Sequence, residues 1–298
     1  MQTNIGARTT SSPTRVKHAR IEPRSQVLTL LLFFAAVLLA VLPPRHARAY
    51  DFGVVPQFEP RRLQAIWEPI LNEVEQRSGV PLKLRMAPSI PAFEKAFAAG
   101  EYDFAYMNPY HLIIANRLQG YVPLVRDTGA WLYGVIVVRR DSPIQSVEEL
   151  DGQVVAFPAP NALGAALILR AEFATTYGIK VRPQYVKSHT SVYLNVALGQ
   201  AAAGGGVQKT LAQQPPDLRD MLRILHATTQ MAPHPVAAHP RVDPWDVAAV
   251  KKTFLELEKD PQGRELLLHV PIQSIGEAAM ADYAPLLAMG LDAFYLTE

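Results

Sequence analysis

GEYDFAYMNPYHL, residues 100–112, is the stretch from which the chain is best read. A β-prone run, 102–106, ends in Met107-Asn108-Pro109, and an apolar helix pattern begins at once with Leu112, Ile113, Ala115 and Leu118. Asn is a favoured helix N-cap and Pro a favoured first helical residue. A strand's C-terminal end therefore meets a helix N-terminus with almost no loop between them. In an open α/β sheet, ligands bind at such junctions. The free amides and partial positive charge of the helix start favour an anionic or strongly polar group. A single junction of this kind is only a well-capped connection, so its weight depends on recurrence.

The junction recurs. Upstream, a strand over 50–55 ends at Pro56-Gln57, and Leu63, Ile66, Trp67, Ile70, Leu71 and Val74 then fall at helix spacing until Gly79. A strand over 82–86 and a short helix over 91–99 precede the opening stretch. Alternating strands and helices imply a parallel sheet. Downstream come strands at 122–126 and 132–139, the latter a β-branched run suited to burial on both faces. Ser146 and Glu149 form a capping box. A strand over 154–157 runs into Asn161, the expected cap of a helix bearing Ala166, Leu167, Ile168 and Phe173. A strand over 181–186 leads to His189-Thr190-Ser191 and another helix. Gly204-Gly205-Gly206 follows, a flexible turn or a place of close backbone approach, with a further helix start at Val207. Residues 228–241, with Pro233, Pro235 and Pro240, read as extended, and Asp243-Pro244 opens a long helix.

The organisation expected is α/β, with two units joined by a two-segment hinge. Residues 141–227 form a unit inserted into another made of 50–140 and 228–298. The junctions at Gln57, Met107-Asn108, Asn161, His189 to Ser191 and Gly205 would face one cleft, with Tyr106, Tyr110 and Tyr133 as its walls.

Residues 1–49 differ from the rest. A basic beginning, the uncharged run VLTLLLFFAAVLLAVL over 27–42 and the pattern Ala47-Arg48-Ala49 describe a cleavable signal peptide, with an uncleaved anchor as the alternative. Either one puts the remainder outside the cytoplasm. Removing the leader's seven basic residues and one acidic residue from totals of 29 and 27 leaves 22 and 26. That net negative balance gives no basic patch for nucleic acid. With no cysteine, there are no disulfides, thiolate metal sites or cysteine nucleophiles. There is no GxSxG elbow, P-loop or HExxH. Ser188-His189 with Ser191 could suggest a nucleophile and base, but adjacency in sequence rarely gives triad geometry, so His189 reads as a polar lining residue. His234 and His239 have no recognised metal spacing. Neither a metal nor a cofactor is expected.

DFAYMNPYHLIIA (103–115), GVIVVRRDSPIQSVEELDG (134–152) and SHTSVYLNVALGQAAAGGG (188–206) resemble the phosphate/phosphite/phosphonate-binding proteins of bacterial ABC importers, in the same order. The resemblance implies a class II periplasmic-binding-protein fold, with two α/β lobes and a closing cleft. It places ligand contacts at Tyr106-Met107-Asn108, at the helix start that includes Leu163 and Gly164, and at His189. Two features differ: Asn161-Ala162-Leu163-Gly164 replaces a run of hydroxyl residues, and Ala201-Ala202 stands where an acidic residue often follows Gly-Gln. The function expected is a monomeric periplasmic solute-binding protein, not an enzyme. It would carry a small ligand, a phosphonate-, phosphite- or phosphate-like oxyanion first, to an inner-membrane ABC permease. A sensory module on the same fold is the alternative, and an enzyme a more distant one.

Overall fold

In a computed structural model, residues 48–297 are described, so the leader lies outside the described residues apart from its last two. The first half of the fold alternates β1 (Tyr50–Val54), α1 (Pro60–Ser78), β2 (Leu82–Met86), α2 (Ile90–Ala98), β3 (Phe104–Tyr106) and α3 (Pro109–Gln119). β1 pairs in parallel with both β2 and β3. α1 forms where the apolar spacing requires it, burying Leu63, Trp67, Ile70, Leu71 and Val74, and Gly79 ends it in the left-handed conformation at φ 70°. Trp67 lies 5.5 Å from the Phe52 ring of β1, and Phe254 of α7 (Pro244–Leu257) lies 6.3 Å from it, so two helices cover one face of the sheet. Asn108 caps α3 as read, accepting a hydrogen bond from the His111 amide at 2.8 Å, with Pro109 as the first helical residue.

The sheet is not purely parallel. β4 (Val122–Asp127), β10 (Pro235–Ala238) and β11 (Ile275–Glu277) complete it in the order β11-β4-β10-β3-β1-β2. β10 runs antiparallel to both β3 and β4. Its first residues therefore sit at the edge where β3 and β4 end.

The second sheet has the order β7-β6-β8-β5-β9, made of β5 (Gly134–Arg139), β6 (Val154–Phe157), β7 (Arg182–Tyr185), β8 (Ala203–Val207) and β9 (Leu222–Ala227). β5, read as part of the first unit, instead pairs with β8 and β9 in the second sheet. Strand pairing across seventy residues decides this, and local pattern does not report it. The chain thus crosses between sheets at 128–133 and again at 228–234. These crossings hydrogen-bond to each other: the Leu132 amide donates to the Met231 carbonyl at 2.9 Å, and the Met231 amide to Leu132 at 2.8 Å.

Two local readings change. Asn161 is not a cap. A π-turn, Leu163–Leu167, opens α4 (Ile168–Thr175) with Ala162 at the cap position. The glycine run is not a turn but the body of β8. A Cβ on Gly205 would collide with the Ala165 carbonyl and the Phe157 ring, one on Gly204 with Val192 and Val196, and one on Gly206 with Tyr193. Close approach is the reading that the packing requires. Gly205→Ala should therefore lower stability by about 1–3 kcal/mol through overpacking, lowering Tm by roughly 2–4 °C per kcal/mol in thermal denaturation. An unchanged Tm would show that this strand has slack.

Candidate functional site

Every strand end that matters emerges at one edge of its sheet. In the first half, β1 ends toward Gln57, β3 toward Asn108 and β4 at Asp127, while the antiparallel β10 enters there through His234. In the second half, β6 leads to the π-turn, β8 ends at Val207 before α6 (Gln208–Ala212), and β7 leads through Ser188 to α5 (His189–Ala197). Ser188 caps α5, accepting from the Ser191 amide at 3.2 Å.

The two edges face each other across a narrow gap containing two small cavities. The smaller, about 20 Å³, is lined by Asn108, the stretch Ala162-Leu163-Gly164-Ala165 and His189. The larger, about 40 Å³, is lined by Trp67, Tyr106, Asp127, Lys209 and Thr210, with apolar neighbours. Gln57, Val207 and His234 border both. The Gln57 side-chain amide lies 3.3 Å from Nε2 of His234, an amide N–H donating to a ring nitrogen. His234 also stacks on Tyr106 at 5.4 Å. The first amides of the π-turn have no intrahelical acceptor by construction, and their residues line the smaller cavity. A π-turn in this position is common at functional sites.

Protein groups also tie the halves together directly. Asn108 Nδ2 donates to the Asn161 carbonyl at 3.3 Å, and the His189 amide to the Gln57 carbonyl at 3.5 Å. Lys209 Nζ pairs with Asp127 and donates to the Pro271 carbonyl at 2.8 Å. The other Asp127 oxygen accepts from the Gly129 and Ser274 amides. At the rim, the Asn161 side chain is fully used. It exchanges two hydrogen bonds with Leu296, at 2.7 and 2.9 Å, and donates to Glu94 at 3.1 Å.

Of the residues singled out in the sequence, Gln57, Tyr106, Asn108, Leu163, Gly164 and His189 line the cavities. Met107, Tyr110, Tyr133, Asn161, Thr190, Ser191 and Gly205 line neither. Tyr110 points back from α3 and donates to Asp292 at 2.5 Å. Ser191 turns to Ser188, its hydroxyl 2.9 Å away. Met107 is wholly buried, and Gly205 is enclosed by packing. Sequence reading passed over Asp127, Lys209, Thr210 and, as a cleft residue, His234. The available signal was an acidic residue closing a strand at the ligand edge, and a Pro-flanked histidine opening an antiparallel one. Among the described residues, no three His, Cys, Asp or Glu side chains are placed to hold a metal ion.

The site is polar without being strongly charged. Burial pushes the pKa of His189 down to about 4. His234 falls to about 3, first from burial and then from the nearby His111, Lys209 and His189. Both imidazoles are therefore neutral near pH 7.

A family model described as ABC transporter, phosphonate, periplasmic substrate-binding protein matches residues 52–283. The phosphonates-binding periplasmic protein of Escherichia coli (strain K12) is 25% identical over 135 residues, 42% of this chain and only 40% of that protein. Among solved structures, a binding protein component of an ABC phosphonate transporter from Pseudomonas aeruginosa superposes with a TM-score of 0.74. It is 15% identical and is matched over 81% of this chain and 85% of that one. PhnD1 from Prochlorococcus marinus (MIT 9301), solved in complex with methylphosphonate, gives 0.75 at 14% identity, over 83% and 99%. The two-sheet architecture is thus that of type II periplasmic binding proteins.

The buried histidines set a pH dependence. Their folded pKa values lie below the unfolded value of about 6.5, so the unfolded chain binds more protons in the intervening window. Stability should be complete above about pH 6.5 and fall with acidification, each histidine losing up to about 1.4 kcal/mol per pH unit. Urea denaturation at pH 7 and pH 5 should differ by up to about 4 kcal/mol, and His234→Gln should reduce that difference. A flat profile would place these rings in contact with water.

Proposed function

This chain belongs to the family of periplasmic substrate-binding proteins of ABC phosphonate transporters, and from that premise we propose that it binds a small phosphorus oxyanion between its halves for delivery to a membrane permease. The family is one of transport proteins, and the reading extends this role to the present chain, acting as a monomer in the periplasm after loss of its leader. The observation that carries it is the smaller cavity. Asn108 comes to it from one sheet, and the π-turn amides and His189 come from the other. Neutral donors held by secondary structure suit a compact oxyanion, since each hydrogen bond contributes about 1 kcal/mol net and several together reach micromolar affinity.

The helix start has no hydroxyl side chains, because Ala162, Leu163, Gly164 and Ala165 occupy it. Recognition from that side rests on backbone amides, which read shape and charge and not a particular substituent. Methylphosphonate, phosphite and phosphate are thus the probes of choice, with glutamate and arginine as controls.

At about 100 times its dissociation constant, a bound oxyanion should add about 2.7 kcal/mol of stability, a rise of roughly 5–10 °C in Tm. Asn108→Ala should lose most of that rise. It should also lower the unliganded Tm, because a lost cap costs about 1 kcal/mol. Stabilisation by the amino acids and by none of the phosphorus compounds would overturn the proposal.

A further inference from the structure

The larger cavity holds an ion pair whose two members come from opposite sheets. Asp127 closes β4 of the first sheet, and Lys209 sits on α6, directly after β8 of the second. The Asp127 carboxylate is already occupied. One oxygen meets the Lys209 ammonium, and the other accepts from the Gly129 amide at 3.0 Å and the Ser274 amide at 3.2 Å. The ammonium is held in turn by Asp127 and by the Pro271 carbonyl at 2.8 Å. Both charges are felt inside the cavity. Burial first, and then Asp127, raise the pKa of the Tyr106 phenol. Burial first, then His111 and Lys209, lower that of His234.

Among the described residues, Asp127 is the only carboxylate lining either cavity. The rest of the larger cavity's wall is chiefly apolar, with Phe58, Leu63, Ile66, Trp67, Leu132 and Ile272. This space is about 40 Å³ against about 20 Å³ for its neighbour, and the two share Gln57, Val207 and His234 as a border. A ligand whose oxyanion head fills the smaller cavity therefore has the larger one within reach of a substituent. An alkyl chain there gains by leaving water. An ammonium there meets the like charge of Lys209 and no free carboxylate, and a buried charge without a partner is costly.

We infer that Lys209 is a specificity-determining residue: its ammonium occupies Asp127 in the place of a ligand's own, so the cleft takes phosphonates with an uncharged, apolar substituent and rejects aminoalkyl phosphonates. This rests on the proposed function. Removing the lysine's charge should turn the same cavity into a site for an ammonium, because Asp127 and its two amide partners remain.

The test is calorimetric titration near pH 7, at constant ionic strength, with n-propylphosphonate and aminoethylphosphonate, which have the same heavy-atom skeleton. The parent protein should bind n-propylphosphonate at least about tenfold more tightly. In Lys209→Met the order should reverse, and in Lys209→Met combined with Asp127→Asn the preference for n-propylphosphonate should return. A second measurement uses no phosphonate. The Tm lowered by Lys209→Ala should be restored by ethylammonium chloride and not by the same concentration of sodium chloride, while the parent responds to neither. The inference is overturned by a parent that binds aminoethylphosphonate as tightly as n-propylphosphonate, by a folded Lys209→Met that keeps the parent's preference, or by a folded Lys209→Ala that ethylammonium leaves unchanged. Should neither single variant fold, the parent's own order of affinities decides alone. Binding of phosphite but of neither organic phosphonate also overturns the inference and leaves the proposed function standing. If no phosphorus oxyanion binds the parent, the proposed function falls instead, and the ethylammonium measurement still decides whether Lys209 fills an ammonium site at Asp127.

Discussion

Two main-chain hydrogen bonds between Leu132 and Met231 join the only two crossings between the sheets among the described residues. Both crossings leave their sheets at the same edge, because β5 and β10 run antiparallel to their neighbours. That edge is also where the parallel strands end and the helices begin. The geometry that makes the crossings therefore puts the gap between the sheets in the same place. Gly134, at the exit of one crossing, lies directly against Gly164 of the π-turn, and a side chain on Gly134 would collide with the Gly164 carbonyl. Thr228, where the other begins, accepts from the Gly134 amide at 2.8 Å. Hinge and cleft floor thus form one hydrogen-bonded structure.

Electrostatics at the cleft follow from desolvation. A buried, unpaired charge is costly, so the site contains one ion pair and otherwise neutral groups. Two histidines near each other and near Lys209 remain uncharged for the same reason. The polarity left over is directional and not coulombic: helix-start amides, imidazoles held neutral by burial, and an amide side chain at Gln57 bordering both cavities.

What could be read from the sequence was local. Asn108-Pro109 is legible because capping chemistry is contained within four residues, and α1 because its burial follows a 3.6-residue period. What could not be read depends on distant partners. Gly204 to Gly206 looks like a turn until Phe157, Val192 and Tyr193 are seen occupying the space that side chains would need. Asn161 has the composition of a cap, but Leu296, 135 residues further on, takes its side chain. Tyr110 sits one residue into a helix whose start faces the cleft, yet its hydroxyl reaches Asp292. His234 and Asp127 enter the site through a strand order that no local pattern encodes. The family resemblance implied a cleft between two lobes, while the placement of individual side chains needed the pairing.

The ties that close the cleft differ in how they meet dissolved salt. Asp127 is 1% exposed and its Lys209 partner 18%, so mobile ions have little access to that contact. Near the rim, the Arg117–Asp292 pair is open to water on both sides, 45% and 61% exposed, and it adjoins the tyrosine beneath the C-terminal segment that grips Asn161. Rising ionic strength therefore loosens the anchorage of the outer strap while leaving the inner tie intact. Brine and fresh water would meet the same hinge but a differently fastened rim.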